Sequence, residues 1–270
     1  MDDEQLKRRA AALGPLMRAA GAVARAALNS ADGLELRDKG VADFVTAADL
    51  AVQAQLYREL AARFPEDAFF GEEGDEPAVD PARPTWVIDP IDGTSNFAHG
   101  RPGWCVSAAL VQGGRSRLAA VYDPLQDELF EARRGGGAWL GERRLTCRRH
   151  DRIAGAQLVF GLTRKAPPGA TLAAVERLAL EGGSFRSFGV GALMITYVGA
   201  GRIDGFFEAA IYAWDAAAAT LVAEEAGAVV SPRARSAFDR APFPALVATP
   251  ALYPRLAAEL PFIAPERDVG

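Results

Sequence analysis

Hydrophobic positions gather into helix-like runs at the start of this chain, into short strand-like runs through its middle, and into alternating runs of both kinds afterwards. Residues 4–28, rich in Ala, Leu and Arg, predict a helix with a bend where Gly14-Pro15 interrupts it. "DFVTAADLAVQAQLYRELAARF" predicts a second helix that starts near Thr46. "TWVID", "GWCVSAALVQ", "RLAAVYDP" and "ELFEARR" predict strands, the last three separated by "GGR" and "PLQD" turns. "RRGGGAWLGERRL" reads as a hairpin that closes the first half. Beyond it, strands in "AQLVFGL", "SFRSFG", "RIDGFFEA" and "VV" alternate with helices in "ATLAAVERLALEGG", "VGALMITYVGAG" and "WDAAAATLVAEEAGA". Such alternation predicts a mixed α/β second half. Residues 145–155 have no linker composition, so two tightly packed subdomains are expected, 1–147 and 148–270.

Composition narrows the classes. The chain has 270 residues, half of them hydrophobic, which is ample for a core, and no apolar run approaches a membrane span. A formal net charge of -5 argues against non-specific nucleic-acid binding. "MDDEQLKRRAAALG" lacks the basic start and apolar stretch of a secretory leader, so a cytoplasmic protein is expected. Two cysteines, Cys105 and Cys147, indicate no disulfide framework. With only His99 and His150, a multi-histidine zinc site is out of reach.

The carboxylates are where the chemistry concentrates. In "VIDPIDGTSNF" (87–97), an apolar strand runs into Asp89 and Asp92, bracketed by Pro90 and Gly93. A sharp turn there lets both side chains and the carbonyl of Ile91 face one spot. An all-oxygen set of that kind suits a hard cation, Mg²⁺ first and Ca²⁺ or Mn²⁺ as competitors. The same letters also spell an Asp-Pro, Asp-Gly turn with solvated aspartates. Glu72 and Glu73 in "FFGEEGDEP" read equally as an acidic surface loop. Asp215 can be the N-cap of the helix it opens. Thr46 and Asp49 are spaced as a capping box.

Taken in order, "DFVTAAD" (43–49), "GEEG" (71–74), "WVIDPIDGTSNFAHG" (86–100) and "WDAAAATLVAEEAG" (214–227) resemble the inositol monophosphatase family of Mg²⁺-dependent sugar-phosphate phosphatases, over nearly the whole chain. The resemblance implies a layered α/β/α/β/α sandwich of the inositol monophosphatase and fructose-1,6-bisphosphatase type. It implies two or three Mg²⁺ per site, most ligands coming from residues 1–147 and Asp215 from 148–270. Glu72, Asp89 and the Ile91 carbonyl match the ligands of one ion, Asp89, Asp92 and Asp215 those of a second, and a weaker third touches the Glu72 position. Metals about 3.5–4 Å apart clamp phosphate and activate the attacking water in such sites. Thr94 matches the hydroxyl that orients this water, Asp49 its partner, and Glu73 a supporting carboxylate behind Glu72. Backbone groups of Gly93 and Thr94 match the phosphate cradle.

The same resemblance places Gly189, Val190 and Gly191 along the sugar pocket beside Asp92 and Asp215, and Glu208 on a polyol hydroxyl. Val190 stands where an animal inositol phosphatase has threonine, and Ala219 replaces a glycine frequent in bacterial members. The implied activity is hydrolysis of a phosphomonoester, inositol 1-phosphate in the first place. Histidinol phosphate, fructose 1,6-bisphosphate and 3′-phosphoadenosine 5′-phosphate follow. The implied partners are a small phosphorylated polyol or sugar and a second copy of the chain, with no nucleic acid or membrane. A regulatory binding protein that keeps the fold is the alternative of a different class, since some bacterial relatives act with the transcription machinery.

Overall fold

A computed structural model describes residues 1–28, 37–40, 43–45, 47–76, 78–163, 165–235 and 238–260. Its first half runs α1 (Asp3–Leu28), a hairpin of β1 (Arg37–Gly40) and β2 (Asp43–Val45), α2 (Ala47–Arg63), β3 (Ala68–Gly71), β4 (Thr85–Asp92), the short α3 (Thr94–Ala98), β5 (Cys105–Gln112), β6 (Arg115–Asp123), β7 (Glu128–Arg133), β8 (Gly137–Leu140) and β9 (Arg143–Arg144). The second half runs β10 (Gln157–Gly161), α4 (Gly169–Leu180), β11 (Ser184–Arg186), α5 (Gly191–Gly199), β12 (Gly205–Ile211), α6 (Ala213–Glu225), β13 (Val229–Val230), β14 (Phe243–Ala248) and α7 (Tyr253–Glu259).

Strands β3 to β9 form one seven-stranded sheet in sequence order. All its pairings are antiparallel except β3 with β4. The second sheet is ordered β11-β10-β12-β14-β13 and is mixed, with β10 parallel to both its neighbours and β14 antiparallel to both of its own.

Alternation along the strands divides the apolar residues among three cores. Trp86, Ile88 and Leu110 face Leu13 and Met17 of α1 and Leu56 of α2. On the opposite face of the same sheet, Val87 and Val121 join Leu193 and Ile195 of α5, Leu221 and Val222 of α6, and Phe206 and Val247 of the second sheet. Phe207 and Leu246 turn outward against Leu178 of α4 and Leu256 of α7. The layers are therefore helices, sheet, helices, sheet, helices, as expected. α6 is buried nearly all round, and its run Ala216 to Ala219 supplies the small side chains that fit between two sheets.

α1 runs through Pro15 as one helix, as expected for residues 4–28. β14 and α7 carry no prediction from the sequence, although β14 is central to the second sheet. Thr46, and with it the proposed capping box, lies outside the described residues. Among the described residues, no helix is long and apolar enough to cross a membrane.

Candidate metal centre and active site

β4 is buried along its whole length, and its pairing with β5 slips at its end. Asp89 lies opposite Ser107 while Asp92 lies opposite Cys105, so three steps on β4 match two on β5. The bulge breaks the strict alternation that would send Asp89 and Asp92 to opposite faces. Gly93 then takes φ 90° and ψ 33°, and a side chain there would place Cβ 2.7 Å from the Gly103 carbonyl oxygen. Only glycine fits so close an approach at positive φ. The chain reverses directly into α3, which begins with Thr94.

The second half meets this turn with two helix starts. The amides of Gly191 and Ala192 at the head of α5 donate to the Asp92 carboxylate at 3.3 and 2.6 Å. Asp215 is the third residue of α6 rather than its N-cap, and its Oδ2 accepts the Tyr212 amide at 2.9 Å. Carboxylate oxygens of Asp89, Asp92 and Asp215 all lie within 4.8 Å of one another. Glu72, whose amide donates to the Ile88 carbonyl at 3.1 Å, adds its charge to the field at Asp89.

Such an assembly is unfavourable without a counter-charge. Burial, then the charges of Glu72, Asp92 and Asp215, push the Asp89 carboxyl well above the usual range. Burial and Asp215 push Asp92 up to about 7, against the pull of the α5 amides. Asp89 Oδ1 is buried and has no hydrogen-bond partner among the described residues. An orphaned oxygen among crowded carboxylates, with no histidine or thiolate in the donor set, fits a hard divalent cation.

The residues expected to handle water lie alongside. The Thr94 hydroxyl is 3.0 Å from the Ile91 carbonyl oxygen and 3.4 Å from Asp49 Oδ1. Asp49 is buried in the first turn of α2, and Gln53 and Tyr57 follow on the same helical face at four-residue spacing. Gln53 Oε1 accepts the Glu73 amide at 3.1 Å. Gly71 packs so closely that a Cβ would sit 2.4 Å from both Gln53 Oε1 and the Tyr57 hydroxyl. One face of α2 thus presents Asp49 to Thr94 and holds the Glu72–Glu73 turn.

Asp92, Gly189, Val190, Gly191, Glu208 and Asp215 line a single cleft of about 350 Å³, together with Ser95. Glu208 ends the regular part of β12, just before a register shift against β14. Burial first, then Asp215 and Asp92, raise its carboxyl to about 8, with Lys165 pulling the other way.

Three residues near this cleft were not anticipated. A Cβ on Gly161 would fall 2.1 Å from Glu208 Oε2, so Gly161 makes the room in which that carboxylate lies. Lys165 lines the cleft with its ammonium 4.1 Å from the centre of the Tyr212 ring, itself stacked on Trp214. Asn96 donates to the carbonyls of Gly103 and Phe188, each at 2.7 Å, and so ties α3 to the turn before Gly189. Asn96 stands inside the quoted "DGTSNF", which was the available signal. Gly161 and Lys165 offered none.

Comparison with known proteins agrees with this architecture. The model of the inositol monophosphatase family matches residues 5–264. Nus factor SuhB of Escherichia coli (strain K12) is 41% identical over 202 residues, 74% of this chain and 76% of that protein. Nus factor SuhB of Xylella fastidiosa is 37% identical over 215 residues, 79% of this chain and 78% of that protein. Among solved structures, the extragenic suppressor protein suhB from Bartonella henselae superposes with a TM-score of 0.84 at 30% identity, covering 92% of this chain and 96% of the other. The IMPase of Thermotoga maritima gives 0.80 at 28% identity, covering 91% and 94%. With the family model spanning nearly every residue and the layered fold shared, the chain belongs to the inositol monophosphatase family.

Proposed function

We propose that this chain is a Mg²⁺-dependent phosphomonoesterase that hydrolyses a small polyol or sugar phosphate, inositol 1-phosphate first among them. The observation that carries the reading is the buried Asp89, with an Oδ1 unpartnered among the described residues, crowded by Asp92 and Asp215. Glu72, Asp89 and the Ile91 carbonyl would hold one ion, and Asp89, Asp92 and Asp215 a second, with a weaker third reaching Glu72. Bound there, Mg²⁺ supplies Lewis acidity toward phosphoryl oxygens and makes water a stronger nucleophile.

The chain's own groups do the rest. The Thr94 hydroxyl takes a hydrogen bond from the attacking water and passes its own proton toward Asp49, the nearer end of that relay being the 3.4 Å contact. Such contacts are often long before substrate binds. Glu73 braces the Glu72 turn by donating its backbone N–H to Gln53 Oε1. Amides of Gly93 and Thr94 receive phosphate oxygens. The Gly189–Gly191 turn lines the polyol, and Glu208 accepts one of its hydroxyls. The family reading also carries a homodimer in the cytoplasm.

A second reading takes its support from the relatives named Nus factor SuhB. Under it the chain serves as a Nus factor, with or without hydrolysis. The complete carboxylate set favours catalysis. Phosphate release from a panel of inositol 1-phosphate, histidinol phosphate, fructose 1,6-bisphosphate and 3′-phosphoadenosine 5′-phosphate, with and without Mg²⁺, tests the proposal. Turnover of one or more that stops in excess chelator is expected. Full turnover in chelator removes the metal reading, and no turnover of any phosphomonoester leaves the Nus-factor reading in its place.

A further inference from the structure

Resting on that reading, we infer that Arg240 is a positioning residue for the metal centre, locking the Glu72 turn against the start of α6. Its guanidinium reaches across 169 positions of sequence to donate to the Gly71 carbonyl at 2.9 Å. It also donates to the Glu76 carbonyl at 2.7 Å and the Glu72 carbonyl at 3.5 Å. Three peptide groups of one acidic turn are thereby aimed at a single planar cation. Its guanidinium carbon lies 5.2 Å from the centres of both the Phe70 and the Trp214 ring, which are themselves 5.9 Å apart, so it rests against one side of that aromatic pair. Phe70 stands two residues before Glu72, and Trp214 immediately before Asp215.

The backbone repeats the connection. The Val79 amide donates to the Phe238 carbonyl at 2.9 Å, and Ala78 bridges Asp239. The descending limb of the acidic turn is therefore stitched to the segment that carries Arg240, while Gln53 of α2 holds the ascending limb. The sequence of this turn, rich in Glu and Gly, carries no large apolar side chain between Phe70 and Val79. The like charges of Asp89, Asp92 and Asp215 would drive Glu72 outward unless its backbone were fixed. Arg240 fixes it through carbonyls, without spending its charge on the metal-facing carboxylates. Its one carboxylate contact among the described residues, Glu76 Oε2 at 3.5 Å, is on the far side of the turn in sequence.

The planar fork is essential to this geometry, because a lysine cannot reach several carbonyls at fixed angles. The test is a calorimetric titration of Mg²⁺ alone into the full chain, wild type against Arg240→Met and Arg240→Lys. Loss of outer contacts to a metal site typically weakens the metal by about 10–100-fold, and that range is expected for Arg240→Met. Arg240→Lys falls between it and wild type. Hydrolysis of p-nitrophenyl phosphate should recover its wild-type kcat at saturating Mg²⁺, with KM unchanged. In a Glu72→Gln background, Arg240→Met should add little further loss, because both act on one ligand. Unchanged Mg²⁺ affinity in Arg240→Met, whatever its melting temperature, overturns the inference; if that variant does not fold, unchanged affinity in Arg240→Lys does the same. Wild-type protein that takes up Mg²⁺ but hydrolyses nothing would sink the phosphatase reading and leave Arg240 in place. Wild-type protein that takes up no Mg²⁺ would overturn both.

Discussion

One hydroxyl proton cannot satisfy two acceptors, and Thr94 has two. Its shorter contact is to the Ile91 carbonyl, its longer one to Asp49. If Asp49 serves the reaction, Asp49→Asn and Thr94→Ala should each lower kcat by roughly 10²–10⁴-fold. The double variant should be little worse than either, because parts of one unit are not additive. Multiplicative losses, or a melting shift with normal turnover, would make Asp49 a structural residue of α2. Glu208 allows a cleaner separation of substrate from chemistry. Glu208→Gln should raise KM for inositol 1-phosphate while leaving p-nitrophenyl phosphate hydrolysis nearly unchanged; equal damage to both would place Glu208 in the metal shell or the fold. Asp89 and Asp92 were legible because they sit three apart at the end of an apolar run, where a local pattern suffices. Asn96 and Arg240 act on partners 92 and 169 positions away, and nothing in their own neighbourhoods announces that.

Elements were legible where one face differs from the other. The amphipathic start of the chain gave α1, and the buried run gave β4. Pro15 does not end the helix, because a missing N–H forces a break only if the helix has nothing else to hold it. Here α1 lies flat on the first sheet. Gly14 is bare where Glu131 of β7 needs space, a Cβ there falling 2.9 Å from Oε1. The same contact sets a pH dependence. Burial holds the Glu131 carboxyl above its ordinary value of 4.5, with Arg18 opposing. The folded state therefore binds that proton more tightly than the unfolded chain does. Stability from this group is complete below 4.5 and declines as pH rises through the higher folded value. Glu131→Gln should flatten that decline and melt no lower than wild type at neutral pH. A steeper loss of stability with pH in the variant would mean the carboxylate is favourably bound as an anion.

At the scale of the whole molecule, alternation between strand and helix gave the mixed α/β second half and the family resemblance the layered order, while neither gave the strand order of the second sheet. β14 inserts between β12 and β13 although it is the last of the five in sequence, a choice made by packing rather than by any local signal. The crowding of Asp89, Asp92 and Asp215 has a global reading too. A ligand bound only by the folded state stabilises it by about 2.7 kcal/mol at a hundred times its dissociation constant. Added Mg²⁺ should therefore raise the melting temperature in proportion to the logarithm of its concentration. Asp89→Asn should abolish the response, yet melt no lower than wild type in chelator, since it removes a buried like charge. A metal-independent melting temperature in the wild type would contradict the assignment. The bonds from Gly191 and Ala192 to Asp92 also bear on how the protein is made. As the chain leaves the ribosome, the acidic end of β4 emerges about a hundred residues before the helix that cradles it and longer still before Asp215 and Arg240. The nascent protein cannot gather its full set of carboxylates until α6 has followed α5 out of the ribosome.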